Sequence, residues 1–257
     1  MHLRVEQLSF SYLNNPTIQD ISLHVNAGEF VGLIGPNGSG KSTVLKNLYR
    51  ALTPEKGTAS LHEKNLFSLS AKESAQQIGV VGQENELLFS FTVEEIVSMG
   101  RSPYKKLFDF DTQEDKEIVH HALTHLGIED MASRNFLQLS GGEKQRVLIA
   151  RVIAQETDFL LLDEVTNHLD VNYQIQILDL IKRLKTSVLA VMHDLNMAAL
   201  YCDRLYVLDK GKIVCEGAPE EVLTPALLSD IFSVEADVSI HPKTGKLSIT
   251  YLPKYLS

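Results

Sequence analysis

The amino-acid sequence predicts an α/β fold built around a mainly parallel β-sheet. Short, continuously apolar segments recur along the chain, at 30–34, 159–162 and 188–192. Segments with helical character lie between them, and strands covered by helices on both faces have this pattern. From about 87 to 154 the pattern turns mostly helical, which indicates a helical subdomain inserted into the sheet.

The N-terminal part predicts antiparallel strands. Apolar and polar residues alternate at 3–10 and 18–25, and a turn signal at 14–16 separates these two segments. Alternation of this kind is typical of strands with one buried face. Strand-like segments at 57–61 and 78–82 follow, so we expect an N-terminal antiparallel β subdomain.

The C-terminal part continues the alternation of helices and strands. Helical segments at 171–184 and 195–201 flank the strand at 188–192, and a strand at 205–208 comes next. A β-hairpin is expected at about 234–252. Since the sequence shows no repeats and no long linker, we expect a single domain spanning 1–257.

Charge and composition exclude several classes of protein. The chain has 257 residues, with 24 Lys and Arg against 33 Asp and Glu, which gives a net charge of −9. An acidic chain lacks the basic footprint that nucleic acid requires, so no nucleic-acid partner is expected. No apolar run reaches the ~18–20 residues of a membrane span. Two cysteines without a CxxC motif argue against a disulfide scaffold.

The strongest motif follows the apolar segment at 30–34. It fits G-x-x-x-x-G-K-[S/T] and precedes a segment with helical character at 41–51, which is the context of a phosphate-binding loop. This P-loop consists of Gly35, Pro36, Asn37, Gly38, Ser39, Gly40, Lys41 and Ser42, with Thr43 directly after it. The motif predicts a nucleoside triphosphate as the ligand.

Each residue type in the P-loop suits a triphosphate. Glycines remove the side chains that would keep phosphate oxygens away from backbone N–H groups. The helix that begins near Lys41 points its free N-terminal amides at the phosphates. Lys41 adds a positive charge for the β- and γ-phosphates, and the Ser42 hydroxyl is expected to ligate Mg²⁺.

Two carboxylates follow the buried segment at 159–162. They stand where a strand ends, at the sheet edge where α/β proteins bind ligands. Asp163 is placed to hold the Mg²⁺ shell, and Glu164 could act as general base toward an attacking water. Alone, such a pair would more simply be solvated acids at a strand end, but beside a P-loop the catalytic interpretation is favoured.

A further motif resembles a known family. It consists of Leu139-Ser140-Gly141-Gly142-Glu143, followed by KQRV and then by LLLDE at 160–164. This combination resembles the signature of ATP-binding cassette (ABC) ATPases, and the resemblance covers nearly the whole chain. It implies a P-loop NTPase of the ABC fold, with ATP and Mg²⁺ as cofactors.

The resemblance implies roles for four more residues. Tyr12 matches the aromatic residue that stacks on adenine, and Gln83 matches the glutamine that contacts Mg²⁺ and the attacking water. His193 matches the histidine that contacts the γ-phosphate, and Asp170 lies in the loop that crosses to a second subunit. By residue type alone, Tyr12 would be a core aromatic and His193 a structural histidine.

The chain departs from the family at Val165, where proline is usual. Loss of proline's fixed φ loosens the turn that positions Glu164 and the loop of Asp170.

The signature residues also make physical sense by themselves. Ser140, Gly141 and Gly142 open a second predicted helix with small side chains and exposed amides, which is another anion site. One chain therefore carries two phosphate half-sites. In the family, two copies sit head to tail, and each signature closes over the ATP held by the other copy's P-loop.

The segments at 92–104 and 217–225 resemble importers of iron chelates, haem and vitamin B12. The implied function is the ATPase subunit that energises uptake of an iron–siderophore complex or haem, peripheral on the cytoplasmic face of the membrane. Its partners would be a second copy of itself, a transmembrane permease and, indirectly, an external substrate-binding protein. Vitamin B12 is the nearest alternative cargo, and molybdate or zinc is more distant.

Other functions remain as alternatives. A regulatory GTPase would need N/T-K-x-D and D-x-x-G motifs, and neither string occurs. A cassette ATPase of DNA repair would need a long heptad coiled coil, and one of translation would need two cassettes. An exporter subunit is a third alternative.

Two weaker patterns lie in the helical region. His121 and His125 are four residues apart, a metal-ligand spacing, but together with His120 they more simply form a solvated helix face. Five aromatic residues fall within 22 positions and are expected to dock the permease at least in part: Phe89, Phe91, Tyr104, Phe108 and Phe110.

Overall fold

The computed structural model describes residues 2–82, 90–106, 108–167 and 169–253. The chain forms two compact units. The first combines Met1–Ser68 with Thr186–Ser257, and the second is Leu69–Lys185. The division of the chain into domains stays a prediction: a single domain, with a helical insertion at 87–154 and a terminal hairpin at 234–252.

Strands and helices alternate along the described chain. The strands are β1 (Leu3–Tyr12), β2 (Asn15–Val25), β3 (Phe30–Ile34), β4 (Lys56–Leu61), β5 (Lys64–Asn65), β6 (Ile78–Val81), β7 (Phe159–Asp163), β8 (Ser187–Val191), β9 (Arg204–Asp209), β10 (Lys212–Gly217), β11 (Glu235–Ile240) and β12 (Leu247–Leu252). The helices are α1 (Lys41–Leu48), α2 (Ala71–Ala75), α3 (Val93–Ser98), α4 (Gln113–His125), α5 (Gly141–Ala154), α6 (Val171–Arg183), α7 (Leu195–Tyr201), α8 (Pro219–Val222) and α9 (Pro225–Phe232).

The core of the first unit is a sheet in which β10, β9, β3 and β8 lie side by side. Strand β3 runs parallel to both β8 and β9, while β9 and β10 form an antiparallel hairpin. All residues of β3 and of β8 are buried, as expected for parallel strands covered on both faces. The predicted α/β class with a parallel core is therefore confirmed.

The N-terminal strands form a separate antiparallel sheet in the order β2, β1, β4 and β5. Leu3 of β1 pairs with Val25 of β2 and with Leu61 of β4, and all three side chains are buried. At the other end of the chain, β11 and β12 pair as a hairpin. Asn196 of α7 fixes that hairpin through two hydrogen bonds to the backbone of Ile249.

The second unit contains the parallel pair β6 and β7 and a group of helices. Helices α3 and α4 both pack against α5, which has a buried apolar face. Thr92, Thr112 and Ser140 cap the three helices, each in a capping box with an acidic residue three positions later. These caps satisfy amides at the helix starts and fix where each helix begins. Among the described residues, no helix combines the length and the apolar character that a membrane crossing requires.

A buried ion pair ties the helices of the second unit together. Arg101 lies in the short 3-10 helix Met99–Tyr104, and its Nε donates to Asp115 of α4 at 2.9 Å. Its Nη1 reaches Glu156 at 2.7 Å and the Ala154 carbonyl, both at the end of α5. Burial raises the pKa of the Asp115 carboxyl, but hydrogen bonds from Arg101 and Thr112 outweigh it and lower the pKa to about 2.

We predict that Asp115→Asn destabilises the chain by about 1–3 kcal/mol at pH 7, because it removes a charged hydrogen bond from a buried arginine. The folded-state pKa of about 2 lies below the ordinary value of 3.8. The stabilisation is therefore complete above pH 3.8 and is lost as the pH falls toward about 2. Urea unfolding between pH 3 and 7 measures this, with the exposed Asp130→Asn as the matched control. A gap between wild type and Asp115→Asn that stays constant down to pH 3 would contradict the assignment.

Candidate functional site

The P-loop connects β3 to α1 in the first unit. Strand β3 ends at Ile34, and α1 begins at Lys41 with Gly40 as its N-cap residue. Gly38 and Gly40 have φ of 77° and 106°, a left-handed conformation that side chains rarely adopt. The loop thus has the strand–loop–helix setting that its sequence predicts, and α1 presents its N-terminus to the loop.

Packing explains why glycine is needed in the loop. At Gly35, with φ 151°, a β-carbon would overlap the carbonyl oxygen of Leu208. At Gly40 it would lie 2.7 Å from Ile18 Cγ2 and 3.0 Å from the Thr17 carbonyl oxygen. At Gly38 nothing would lie within 4 Å, so that side of the loop is open. The loop is therefore closely packed at Gly35 and Gly40 and open at Gly38.

Hydrogen bonds hold the P-loop in this conformation. Lys41 Nζ, which is buried, donates to the carbonyls of Gly35 and Pro36 at 2.9 Å each. The Gly211 amide, in the turn between β9 and β10, donates to the Ser39 carbonyl at 3.0 Å. The Ser39 hydroxyl is buried, and no described group forms a hydrogen bond with it.

His193 lies at the same sheet edge as the P-loop. Val191 at the end of β8 pairs with Leu33 of β3, and the Met192 amide donates to the Leu33 carbonyl at 3.1 Å. The carboxyl ends of these two parallel strands therefore meet, and His193 follows directly with its side chain exposed. Asp194 then caps α7 by accepting from the amides of that helix's first turn. The structure brings His193 and the P-loop to one edge of this sheet.

Tyr12 ends β1 in the N-terminal sheet. Its side chain is 43% exposed, and its ring meets the Phe10 ring edge-on with centroids 4.9 Å apart. Tyr12 pairs with Asn15 at the start of β2, the strand whose Thr17 and Ile18 pack against Gly40. The ring is therefore available for stacking rather than enclosed in a core.

The two carboxylates follow β7 in the second unit. All five residues of β7 are buried, and Asp163 is its last residue. Glu164 has φ 59°, a left-handed backbone conformation that is uncommon outside glycine. Its carbonyl accepts from the Asn167 amide at 3.0 Å, and its Oε2 accepts from Asn167 Nδ2. A tight turn thus holds the Glu164 side chain in one orientation. The left-handed backbone at Glu164 is a form of strain that is typical of functional sites.

The signature residues open α5. Ser140 is the N-cap residue, and its amide and hydroxyl donate to Glu143 Oε2 at 2.7 and 2.8 Å. The amide and hydroxyl of Ser140, in that order, lower the pKa of the Glu143 carboxyl, and Arg134 lowers it further. Gly141 is exposed, whereas Gly142 is buried. The sequence predicts exposed amides here. In the structure the first of them, the Ser140 amide, donates to the Glu143 carboxylate of the same chain.

Asp170 caps α6 and accepts from the Tyr173 amide at 3.1 Å. Gln83 is a predicted catalytic and metal-binding residue that lies outside the described part of the chain. Within the described part, the structure groups the P-loop, His193 and Tyr12 in the first unit. It groups Asp163, Glu164, Asp170 and the signature residues in the second.

A family model described as "ABC transporter" matches residues 18–167, which are more than half of the chain. The chain belongs to the ABC transporter family. The resemblance seen in the sequence, and the fold class that it implies, are confirmed.

Several similar proteins have names that refer to import or transport. The chain is 38% identical to the iron(3+)-hydroxamate import ATP-binding protein FhuC of Bacillus subtilis, over 97% of this chain and 94% of that protein. It is also 38% identical to the ferric enterobactin transport ATP-binding protein FepC of Escherichia coli, over 95% and 91%. A solved ABC transporter of metal-chelate type, in an inward-facing conformation, superposes with a TM-score of 0.87. That similarity covers 100% of this chain and 99% of the other, at 29% identity.

A cobalamin import ATP-binding protein, BtuD of Halobacterium salinarum, is 39% identical over 98% of this chain. The chain spans 64% of the length of that relative.

Several residues of the site in this family member are absent from the sequence motifs. Leu208 and Gly211 contact the P-loop from a strand and a turn that are distant in sequence. They do so through backbone atoms, so their residue types do not reveal the contact. Asn167 holds Glu164, and its place in the TNHLD segment is the only sequence signal for it. Tyr173 is a helix residue that no pattern singles out.

Val165 suits the turn at Glu164. A proline at 165 would disfavour helical backbone at the preceding residue and push it toward extended conformations. Glu164 has φ 59°, and the Val165 side chain is buried. Valine at this position leaves the backbone of Glu164 free of the restriction that proline would impose.

We predict that Val165→Pro destabilises the chain by about 1–3 kcal/mol, because it conflicts with the left-handed Glu164. Val165→Ala is the control, since it shortens the buried side chain without restricting the backbone. Denaturant unfolding of the two variants measures the difference, and ATPase assays show whether Glu164 keeps its function. A Val165→Pro protein at least as stable as Val165→Ala would show that the turn accepts proline.

Proposed function

We propose that this chain is the ATP-hydrolysing subunit of an importer that takes up an iron complex, a siderophore or haem. One observation carries the hydrolysis part of the proposal. The P-loop between β3 and α1, which is open at Gly38, lies at the same edge of a parallel sheet as His193. The cargo part is supported by the names of relatives similar to nearly the whole chain, which include iron-hydroxamate, enterobactin and hemin import proteins.

The P-loop suits the phosphates of ATP. Its open side at Gly38 allows oxygens to approach the backbone, and α1 adds the positive end of its dipole. Lys41 donates to two carbonyls of the loop, and it would exchange them for phosphate oxygens when ATP binds. The buried Ser39 hydroxyl would gain an acceptor from a phosphate oxygen. Tyr12 offers an exposed ring on which adenine could stack.

Mg²⁺ fits the donor chemistry of the proposed site. The Ser42 hydroxyl and the Asp163 carboxylate are the oxygen ligands that this hard cation prefers, and Gln83 would add an amide oxygen. When bound, the ion neutralises charge on the phosphates. The buried position of Asp163 at the end of β7 keeps its carboxylate fixed.

Glu164 is the proposed general base. Asn167 orients its carboxylate, which would accept a proton from the water that attacks the γ-phosphate. His193 would contact the γ-phosphate from the end of β8. The signature residues Ser140, Gly141 and Gly142 of a second copy, with Asp170 nearby, would close over the ATP, so that two copies form two composite sites.

A permease in the membrane is the proposed partner, and through it an external substrate-binding protein. The chain would then sit peripherally on the cytoplasmic face of the membrane. Vitamin B12 is the second candidate cargo, because a cobalamin import protein is 39% identical over 98% of the chain. Uptake assays with labelled ferric siderophore, haem and cobalamin, in cells that lack their own importers, distinguish the cargoes.

We predict that Glu164→Gln lowers ATP hydrolysis by ~10²-fold or more and leaves the affinity for ATP unchanged, because only the general base is lost. The variant should also form a stable dimer when ATP is added. Phosphate release, equilibrium ATP binding and size-exclusion chromatography measure the three properties. Glu114→Gln, an exposed change on α4, is the control and should behave as wild type. Hydrolysis at the wild-type rate in Glu164→Gln would reject Glu164 as the base.

The aromatic residues proposed for docking are not equivalent in the structure. Phe108 and Phe110 are 87% and 92% exposed. Tyr104 instead donates to the Gln155 carbonyl at 2.8 Å and lies under the Arg101 guanidinium, so it has a structural role. Phe89 lies outside the described residues. Phe108 and Phe110 are therefore the better test of a permease-docking surface.

We predict that the double change Phe108→Ser and Phe110→Ser weakens attachment to permease-containing membranes by about tenfold or more, because exposed aromatics are strong anchors at interfaces. Cargo uptake should fall in parallel, while ATP binding by the isolated chain should stay normal. Val214→Ser, at another exposed apolar position, is the control. Co-sedimentation with membranes and uptake of labelled cargo are the measurements, and full retention with normal uptake would place the docking surface elsewhere.

A further inference from the structure

Tyr173 contacts both the signature residues at the start of α5 and Asp170 at the start of α6. Its ring packs directly on Gly142, where a β-carbon would lie 2.8 to 3.0 Å from three atoms of the ring. Arg146, one turn further along α5, places its guanidinium 5.6 Å from the centre of the same ring. Arg146 also donates to Gln176 of α6 at 2.6 Å. The start of α5 and the start of α6 are thus in contact through Tyr173 and its neighbours.

The backbone of Tyr173 is tied to Asp170. The Tyr173 amide donates to Asp170 Oδ1 at 3.1 Å, which closes the first turn of α6. The next residue, Gln174, donates from one side-chain nitrogen to the carbonyls of Thr166 and Leu169, at 3.1 Å each. The loop before α6 is therefore hydrogen-bonded to the helix turn that carries Tyr173.

The same loop holds the proposed general base. Asn167 donates from its backbone and its side chain to Glu164, as described above. A continuous series of contacts therefore runs from Gly142 through Tyr173 to the loop 164–170. Each step is a packed ring or a hydrogen bond.

We propose that Tyr173 is a positioning residue that couples the signature helix to the loop carrying Glu164 and Asp170. This rests on the proposed function, in which the signature of one copy closes on the ATP of the other while Glu164 serves its own copy's ATP. Closure at one ATP site then sets the position of the general base at the second site. Tyr173 itself touches neither nucleotide.

The first test compares Tyr173→Ala with Tyr173→Phe. Without the ring, kcat for ATP hydrolysis should fall by about 2- to 30-fold, the range of coupling through packed networks, and the Hill coefficient for ATP should approach 1. The equilibrium affinity for ATP should be unchanged, because the P-loop is not altered. Tyr173→Phe keeps the ring and should restore both kcat and cooperativity. Wild-type kcat and cooperativity in Tyr173→Ala, or a Tyr173→Phe protein as impaired as Tyr173→Ala, would overturn the proposal.

The second test adds Gly142→Ala, whose methyl group would overlap the Tyr173 ring. Alone it should lower kcat, because the ring has to move. In the double variant Gly142→Ala with Tyr173→Ala the methyl group has room, so kcat should be no lower than in the worse single variant. Losses that multiply would show that the two residues act independently and would reject the coupling.

Controls separate this proposal from the proposed function. Thermal unfolding of each variant shows whether the fold is retained, and a Tyr173→Ala chain that fails to fold would assign Tyr173 a structural role instead. If the wild-type chain hydrolyses ATP and the variants hydrolyse it in the same way, only the coupling is overturned. A wild-type chain that neither binds nor hydrolyses ATP overturns the proposed function and the coupling with it.

Discussion

The conformation of the P-loop depends on close packing of backbone against backbone. Gly35 lies against the Leu208 carbonyl, and Gly40 lies against Thr17 and Ile18 of β2. This packing positions the loop, and the bond from the Gly211 amide to the Ser39 carbonyl holds it there. The arrangement brings together the central strand β3, the N-terminal sheet and the hairpin of β9 and β10. The P-loop thus depends on contacts from three separate parts of the first unit.

The second unit meets a different requirement, the orientation of side chains. Asp163 is fixed by a fully buried strand, and Glu164 by a left-handed turn that Asn167 closes. The caps of α5 and α6 hold the signature residues and Asp170 in defined positions. In both units, therefore, most of the candidate site residues stand at the ends of strands or the starts of helices.

Much of this was predictable from the sequence. Continuous apolar segments identified β3, β7 and β8, and fixed spacing identified the P-loop, the paired carboxylates and the signature. Strand β10 was not predicted, because its positions alternate only between exposed and half-buried, and three consecutive apolar residues, Ile213 to Cys215, hide that alternation. The roles of Leu208 and Gly211 were not predictable either, since they act through backbone atoms that are distant in sequence. Arg101 and Asp115 read as ordinary surface charges, and only the packing of helices around them makes them a buried pair. The contact of Tyr173 with Gly142 depends on how two helices approach, which no local pattern encodes.

We propose that one chain supplies two half-sites and that a working ATP site needs a half from each of two copies. Co-expression of a Lys41→Ala chain and a Ser140→Arg chain, with different affinity tags, allows purification of the mixed dimer. One composite site of that dimer carries both changes, and the other carries neither. ATP hydrolysis by the purified mixed dimer is the measurement. We expect clear activity in the mixed dimer and none in either homodimer. Full activity in the Ser140→Arg homodimer, or none in the mixed dimer, would rule out shared sites.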